Sequence, residues 1–438
     1  MDPAIITLCV LAVAAFLFVT ELIPLAVTAM AACTVLGIFG VLPAKQVYAG
    51  LSDSTVVLFG GMFVIGAAMF RTGLAQTIGE FVVKKAGTKE VPLMFAIMFV
   101  TAALSSVSSN TGTVACLMPV VIGICTAGNL SKARQLMPLA FAANIGGMIT
   151  MIGTPPNVII VGALKSANLP AFGFFEFAWI GIPMTVAGIV YCLFLGRFLL
   201  PKDKGGTAEM SEEDKKALEE AAAEAGASDD AGGKSKAKQW ISGIILIAVV
   251  CFMYLDLKTV PLQTAAVAGA IICVITGCLK EKEAYAGIDW VTIFLFAGML
   301  SVAAAMDKTG AGKMIADTVV GAMGANPNPY IVAGILFLIS CVLTNFMSNT
   351  ASAALLAPIG ISIAQSIGAD PRPVLMCLGI AASCAFCTPM GTPPNTLVLG
   401  PGEFSFNDYV KFGFPFSIIA MILCVVIVPL VWPFFPAA

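Results

Sequence analysis

Ser108-Ser109-Asn110-Thr111-Gly112-Thr113 lies in one half of this chain and Met347-Ser348-Asn349-Thr350-Ala351-Ser352 in the other. Each Ser-Asn-Thr is followed by a proline at the same spacing, Pro119 and Pro358. Further on, each half carries an identical pentapeptide, Gly153-Thr154-Pro155-Pro156-Asn157 and Gly391-Thr392-Pro393-Pro394-Asn395. All four pieces are small, hydroxyl-bearing and helix-breaking, and all four are set in long apolar sequence. Irregular polar backbone at membrane depth is tolerated only where it is buried in protein or lines a cavity. Interruptions at matching places in two halves of a membrane chain point to the binding site of a secondary transporter.

Composition supports the membrane setting. The chain has 438 residues, 59% hydrophobic and 11% charged, with a mean hydropathy of +0.97. A soluble domain carries about a quarter charged residues. No cleavable leader is expected, because the first apolar run lacks a basic flank and continues into a second. The 13 cysteines are scattered singly, and Cys384-x-x-Cys387 lacks the soluble βαβ context of a redox motif. It reads as small residues packing membrane helices. The absence of histidine excludes His-ligated metals and His-based proton relays, and no cluster of titratable groups accompanies the motifs. An enzyme is therefore not expected, nor is a nucleic-acid partner.

Apolar segments are expected over 4–20, 22–42 and 54–72, with Pro24 breaking the first pair. Residues 74–88 form an amphipathic interfacial helix. Residues 91–127 carry Ser-Asn-Thr near their middle and form a re-entrant hairpin. Residues 134–164 form a span broken at Gly-Thr-Pro-Pro-Asn, and 176–200 another span. Residues 201–239 turn to Lys, Glu, Asp, Ala, Gly and Ser, a solvated linker that is partly helical around 209–225. The pattern then restarts: spans at 240–256 and 259–279, an amphipathic helix at 310–324, a hairpin at 329–366, a broken span at 373–400 and a last span at 411–434. Gly298 through Gly310 follows Gly61 through Gly73 at a constant offset, which marks an internal repeat.

The expected fold is thus an all-α polytopic membrane protein of about ten transmembrane helices plus two re-entrant hairpins. Five crossings per repeat make the second repeat inverted. The repeats are 1–200 and 240–438, joined by a linker at 201–239 placed in the cytoplasm. With that orientation 17 of the 23 Lys and Arg residues fall inside, as the positive-inside rule requires, and both termini fall outside.

A broken helix leaves unpaired N–H groups at one new end and unpaired C=O groups at the other, which attract anions and cations respectively. Two hairpin arms and two restarted helices bring four N-termini together and make an anion site without Lys or Arg. A hard cation such as Na⁺ needs several oxygens. Ser105, Ser109 and Asn110 offer side-chain oxygens, and Gly153 frees its backbone to aim a carbonyl. Thr344, Asn349 and Gly391 repeat the arrangement. A lone Ser, Thr or Asn in a membrane helix usually glues helices together, and a lone Pro-Pro usually kinks one. Four such elements in two registered copies are better explained by a site. Glu21, opposite Lys258 in the other repeat, lies at a break near the interface and reads as structural before functional.

At these residues the chain resembles the divalent anion:sodium symporter family, the sodium–dicarboxylate cotransporters. The paired Ser-Asn-Thr and Thr-Pro-Pro-Asn motifs and the Thr20-Glu21-x-x-Pro24 start carry the resemblance over nearly the whole chain. It implies a homodimer in the cell (inner) membrane, with scaffold parts at 4–90 and 240–328. The transport parts, 91–200 and 329–438, move as an elevator. One implied Na⁺ site comprises Ser105, Ser109, Asn110 and Gly153; the other comprises Thr344, Met347 through its carbonyl, Asn349 and Gly391. Implied substrate contacts are Asn110, Thr111, Thr154, Asn349, Thr350, Thr392 and Pro393. The function so implied is Na⁺-coupled import of a C4 dicarboxylate such as succinate, fumarate or malate. A sodium-independent exchanger of the same family and an anion channel remain as alternatives. Beyond Na⁺ as coupling ion, no cofactor is expected.

Overall fold

Proline, glycine and short polar residues set where each helix stops. In the computed structural model, residues 2–87, 89–201, 212–224, 235–255, 260–323 and 327–436 are described, and among them there is no strand. The first repeat contains α1 (Pro3–Thr20), α2 (Leu25–Ile38), α3 (Ser54–Arg71), α4 (Leu74–Ala86), α5 (Glu90–Ser105), α6 (Asn110–Gly128), α7 (Ala133–Gly147), α8 (Pro155–Ser166) and α9 (Ala178–Tyr191). Part of the linker forms α10 (Glu212–Glu224). The second repeat follows as α11 (Lys236–Leu255), α12 (Leu262–Ile275), α13 (Trp290–Thr309), α14 (Ala311–Met323), α15 (Pro329–Thr344), α16 (Asn349–Ser366), α17 (Pro371–Ala382), α18 (Pro393–Leu399) and α19 (Phe406–Val431). Each helix of the first repeat has its counterpart ten labels on. Among the described residues, 7 helices are long and apolar enough to cross a membrane. The chain is an all-α polytopic membrane protein.

Both hairpins form as expected. In each, the turn after the first arm is tied back by helix-end bonds, Ser106 N–H to Ala102 O at 3.0 Å and Met347 N–H to Leu343 O at 3.0 Å. A serine then starts the second arm: Ser109 Oγ accepts from Gly112 N at 3.3 Å, and Ser348 Oγ from Ala351 N at 3.4 Å. Such caps contribute about 1 kcal/mol each. Glu21 sits in the left-handed region at φ 50° and closes α1 by donating its N–H to Leu17 O. It is exposed, so its visible work is to end a helix. Lys258 lies outside the described residues.

Helix packing divides the elements into two groups. In one, α2 packs on α13 and α12 on α3, a pair of contacts exchanged by the repeat symmetry. In the other, α5 packs on α7, α15 on α17, α8 on α16 and α18 on α6. The amphipathic helices bridge the groups, α4 against α6 and α14 against α16. Small residues permit these approaches: a Cβ at Gly79 on α4 would lie 2.1 Å from Leu117 Cδ2 on α6. Gly312 on α14 stands equally close to Ser362 Oγ on α16. Beneath the second broken span, Phe386 joins Phe141, Phe412 and Phe416, with Phe141 centroids 4.9, 5.3 and 4.8 Å from the other three. Edge-to-face packing of this kind fixes ring positions beyond simple burial.

The two unwound stretches differ from each other in length, and one helix boundary differs from expectation. The second unwound stretch, between Ala382 and Pro393, is longer than the first, between Gly147 and Pro155. Phe386 lies in that stretch and packs into the aromatic cluster. The last helix starts at Phe406, not 411, because Ser405 and Asp408 form a capping box. That polar first turn is invisible to a search for apolar runs.

Candidate cation and anion site

The unwound stretches and the hairpin tips meet. In the first repeat, Ser105 Oγ at the end of α5 lies 2.5 Å from the Asn110 amide and 2.8 Å from Ala143 O on α7. The same Asn110 amide atom is 3.2 Å from Ala143 O and 3.0 Å from Gly153 O. In the second repeat, Thr344 Oγ1 lies 2.6 Å from the Asn349 amide and 2.5 Å from Ala382 O. The Asn349 amide atom is 3.2 Å from Ala382 O and 3.1 Å from Gly391 O. Each cluster therefore contains a hydroxyl, an amide and two backbone carbonyls. All are neutral oxygen donors once the amide presents Oδ1, the donor set that hard cations take. No group of three or more Cys, Asp or Glu residues placed to hold a metal occurs among the described residues. Space is as important as the donors. A Cβ at Gly147 would stand 2.7 Å from Asn110 Oδ1 and 2.8 Å from Gly153 O, filling the first cluster.

Turning the amide gives each cluster a second arrangement. With Nδ2 inward, Asn110 donates to Gly153 O, Ser105 Oγ and Ala143 O, and Asn349 to Gly391 O, Ala382 O and Thr344 Oγ1. With Oδ1 inward, the carbonyls face a further oxygen that accepts from the Ser105 or Thr344 hydroxyl, an oxygen-rich arrangement suited to a cation, and Nδ2 turns away from the cluster. Donor and acceptor faces of an amide are exchanged by that rotation.

The two clusters join into one circuit. Asn144 follows Ala143, and its Nδ2 donates to Thr392 Oγ1 at 3.2 Å and Asn395 Oδ1 at 3.1 Å. Ser383 follows Ala382, and its Oγ lies 3.5 Å from Thr154 Oγ1. Since Thr154 follows Gly153 and Thr392 follows Gly391, both repeats contribute to both ends. Asn157 and Asn395 brace the unwound backbone. Asn157 Nδ2 donates to Thr150 O at 2.8 Å, and Asn395 Nδ2 to Thr388 O at 2.9 Å and Ala385 O at 2.8 Å.

Of the expected cation ligands, Ser105, Asn110 and Gly153 come together, as do Thr344, Asn349 and Gly391. Ser109 serves as the cap of α6, and Met347 is buried in the second tip. Of the expected substrate contacts, Thr154, Thr350 and Thr392 are buried, Asn110, Thr111 and Asn349 are half-buried, and Pro393 is exposed. The prolines alter the anion site in one respect. Pro155, Pro156, Pro393 and Pro394 bring no N–H, and the first available donors, Asn157 N and Asn395 N, already bond Thr154 O and Thr392 O at 3.2 and 3.0 Å. Thus α8 and α18 could offer an anion their dipoles and a threonine hydroxyl, and any backbone donors would come from the first turns of α6 and α16 ahead of the capped Gly112 N and Ala351 N. Ala143, Ala382, Asn144, Ser383 and Gly147 were missed. The alanines act through carbonyls and carry no sequence signal, whereas a polar Asn144 and a Gly146-Gly147 pair within an apolar helix are a signal that could have found the first group.

The citrate transporter family, CitMHS, matches residues 15–371 and 352–437. The chain belongs to that family. This agrees with the divalent anion:sodium symporter type that the motifs resemble, and the chain is a transporter, not an enzyme. An uncharacterised transporter of Haemophilus influenzae is 30% identical, over 95% of this chain and 89% of its own length. The sodium-dependent dicarboxylate transporter SdcS of Staphylococcus saprophyticus is 26% identical, over 94% and 83%. In fold, the chain is similar to the YdaH transporter of Alcanivorax borkumensis, with a TM-score of 0.62 at 13% identity and full coverage of both chains.

Proposed function

We propose that this chain is a Na⁺-coupled importer of a C4 dicarboxylate such as succinate, fumarate or malate. The observation that carries the reading is the pair of oxygen clusters that each end on an asparagine of a hairpin tip. Ser105, Ser109, Asn110 and Gly153 serve one Na⁺, and Thr344, Met347, Asn349 and Gly391 the other, with Ala143 O and Ala382 O added from the geometry. Thr111, Thr154, Thr350, Thr392 and Pro393 surround the anion together with the two asparagines. A bound cation holds each Oδ1 inward, and Nδ2 then faces the carboxylate as a donor. Without the cation, Nδ2 turns inward and the acceptor oxygen faces the anion. Sodium therefore binds first.

The energetics favour coupling. A cell-negative potential opposes a dianion by roughly 2.3 kcal/mol per charge per 100 mV. Two Na⁺ ions cancel that charge, and each adds about 1.4 kcal/mol for a tenfold inward gradient. In this reading the α2, α3, α12 and α13 group is the scaffold of a homodimer in the cell membrane. The hairpins and broken spans form the part that moves, and the linker is cytoplasmic. SdcS, named as a sodium-dependent dicarboxylate transporter, supports both solutes. Uptake of labelled succinate into proteoliposomes with and without an inward Na⁺ gradient tests it. Sigmoidal Na⁺ dependence is expected, whereas equal uptake in choline would replace the symporter with an exchanger. Counterflow of preloaded substrate separates either from a channel.

A further inference from the structure

The circuit that closes around the site is not symmetric. Asn144 in the first repeat and Ser383 in the second each follow the alanine whose carbonyl lines a cation cluster. Asn144 is 1% exposed and reaches across the repeat boundary with two hydrogen bonds, to Thr392 and Asn395. Ser383, also 1% exposed, is too short to do the same. Its hydroxyl stands 3.4 Å from Gly379 O of its own helix and only grazes Thr154 at 3.5 Å. The consequence is visible at the far end. Asn395 Oδ1 is partnered by Asn144, but its counterpart Asn157 Oδ1 is buried with no partner. Leaving a buried polar oxygen unpaired carries a desolvation cost.

We propose that Asn144 is a positioning residue that couples the two cation clusters, an inference that rests on the symport reading above. A cation in the first cluster fixes Ala143 O, and with it the end of α7 from which Asn144 projects. Asn144 then fixes Thr392 and Asn395. Thr392 adjoins Gly391, whose carbonyl lines the second cluster. Asn395 holds Ala385 O and Thr388 O, the unwound backbone of that cluster. Occupying one cluster therefore preorganises the other, and the coupling is reciprocal.

Two variants in proteoliposomes test this, with Na⁺ titrations of succinate uptake and, without succinate, of Na⁺-induced thermal stabilisation. Asn144→Ser copies the second repeat's residue into the first. The Hill coefficient is expected to fall toward one and half-saturating Na⁺ to rise about fivefold, the size of one or two lost hydrogen bonds. Maximal uptake at saturating Na⁺ should stay within about twofold, since no cation ligand is lost. Ser383→Asn keeps Asn144 and gives Asn157 Oδ1 a donor. It should lower half-saturating Na⁺ by about twofold and remains informative if the first variant folds poorly. Sigmoidal uptake unchanged by both substitutions overturns the coupling alone. Sodium-independent uptake by the parent protein overturns the symport reading and this coupling together.

Discussion

The two oxygen clusters proposed to hold cations are built to one plan and differ in their padding. The first uses Ser105, Gly147 and Asn144 where the second uses Thr344, Ala385 and Ser383. In both, the hydroxyl, the asparagine amide, a helix-end carbonyl and a glycine carbonyl are the same groups at nearly the same separations. The lesson is that the repeat preserves oxygen positions and lets the packing behind them drift. The first cluster gains closeness by having no side chain at Gly147. In the second, a Cβ at Gly391 would meet Ala385 Cβ at 2.7 Å, so a methyl already occupies the equivalent space. The first cluster should thus be less tolerant of added atoms.

Adding a methyl at Gly147 puts that difference under the greatest strain. Gly147→Ala places a carbon against Asn110 and Gly153 O, two members of the cluster, while the second cluster is untouched. Succinate uptake is expected to drop to background with the protein still folded and monodisperse. Ala385→Gly, the mirror change, should retain uptake within about threefold, because it removes atoms from the padding and none from the ligand set. Uptake by Gly147→Ala at half the parent rate or more would show that the first cluster is not a filled-and-emptied space.

Removing the shared amides comes next. Asn110→Ala and Asn349→Ala each delete one oxygen from a cluster and, in the proposed reading, one donor to the anion. Both should abolish Na⁺-driven uptake without loss of expression or assembly. The comparison is sharpened by Asn→Asp at each position. A carboxylate offers a cation ligand but no donor, so Na⁺-induced stabilisation should persist while succinate binding is lost. If either aspartate variant transports normally, the amide is not the part that faces the anion.

The hydroxyls are expected to contribute less. Ser105→Ala and Thr344→Ala each remove one oxygen and leave the rest of the proposed ligand set, and half-saturating Na⁺ should rise about tenfold with sigmoidicity reduced. Thr344→Ser keeps the hydroxyl and should stay within about threefold of the parent. An unaltered Na⁺ curve in both alanine variants would remove these hydroxyls from the ligand set.

The sequence made the architecture legible because membrane helices announce themselves by apolar length and their breaks by Pro, Gly and Asn. The hairpins, broken spans and repeat register were all readable from Ser-Asn-Thr, Gly-Thr-Pro-Pro-Asn and their spacing. Three parts were not. Carbonyls of Ala143 and Ala382 belong to residues whose side chains say nothing. The early start of α19 is polar, so a hydropathy reading trims it. The scarcity of N–H donors on α8 and α18 follows from Pro-Pro, but only the bonds of Asn157 N and Asn395 N reveal how few remain. Asn144 was visible as a polar residue in an apolar helix, yet its meaning depends on reaching residues in the opposite repeat, and no local pattern encodes that.

Ser109 offers the finest separation of the two clusters. The sequence offers its hydroxyl to a cation and the family resemblance makes it a sodium ligand, while the structure gives its Oγ a bond to Gly112 N as the cap of α6. Ser348 makes the same cap on α16 and was never expected to hold a cation. A cap and a ligand respond differently to glycine. At an N-cap, glycine costs only a few tenths of a kcal/mol where alanine costs about 1 kcal/mol, because glycine leaves the first turn open to solvation. A missing ligand is equally missing in both. Ser348→Gly should therefore be nearly silent, and Ser348→Ala should lower thermal stability slightly with the Na⁺ dependence unchanged. If Ser109 is only a cap, its two variants will follow the same pattern. If its hydroxyl also turns to the cation, both Ser109→Gly and Ser109→Ala will raise half-saturating Na⁺ several-fold while their stabilities still differ. Matched Na⁺ curves for the Ser109 and Ser348 variants would strike Ser109 from the first cluster and leave it with four oxygens, one fewer than the second keeps with the Met347 carbonyl.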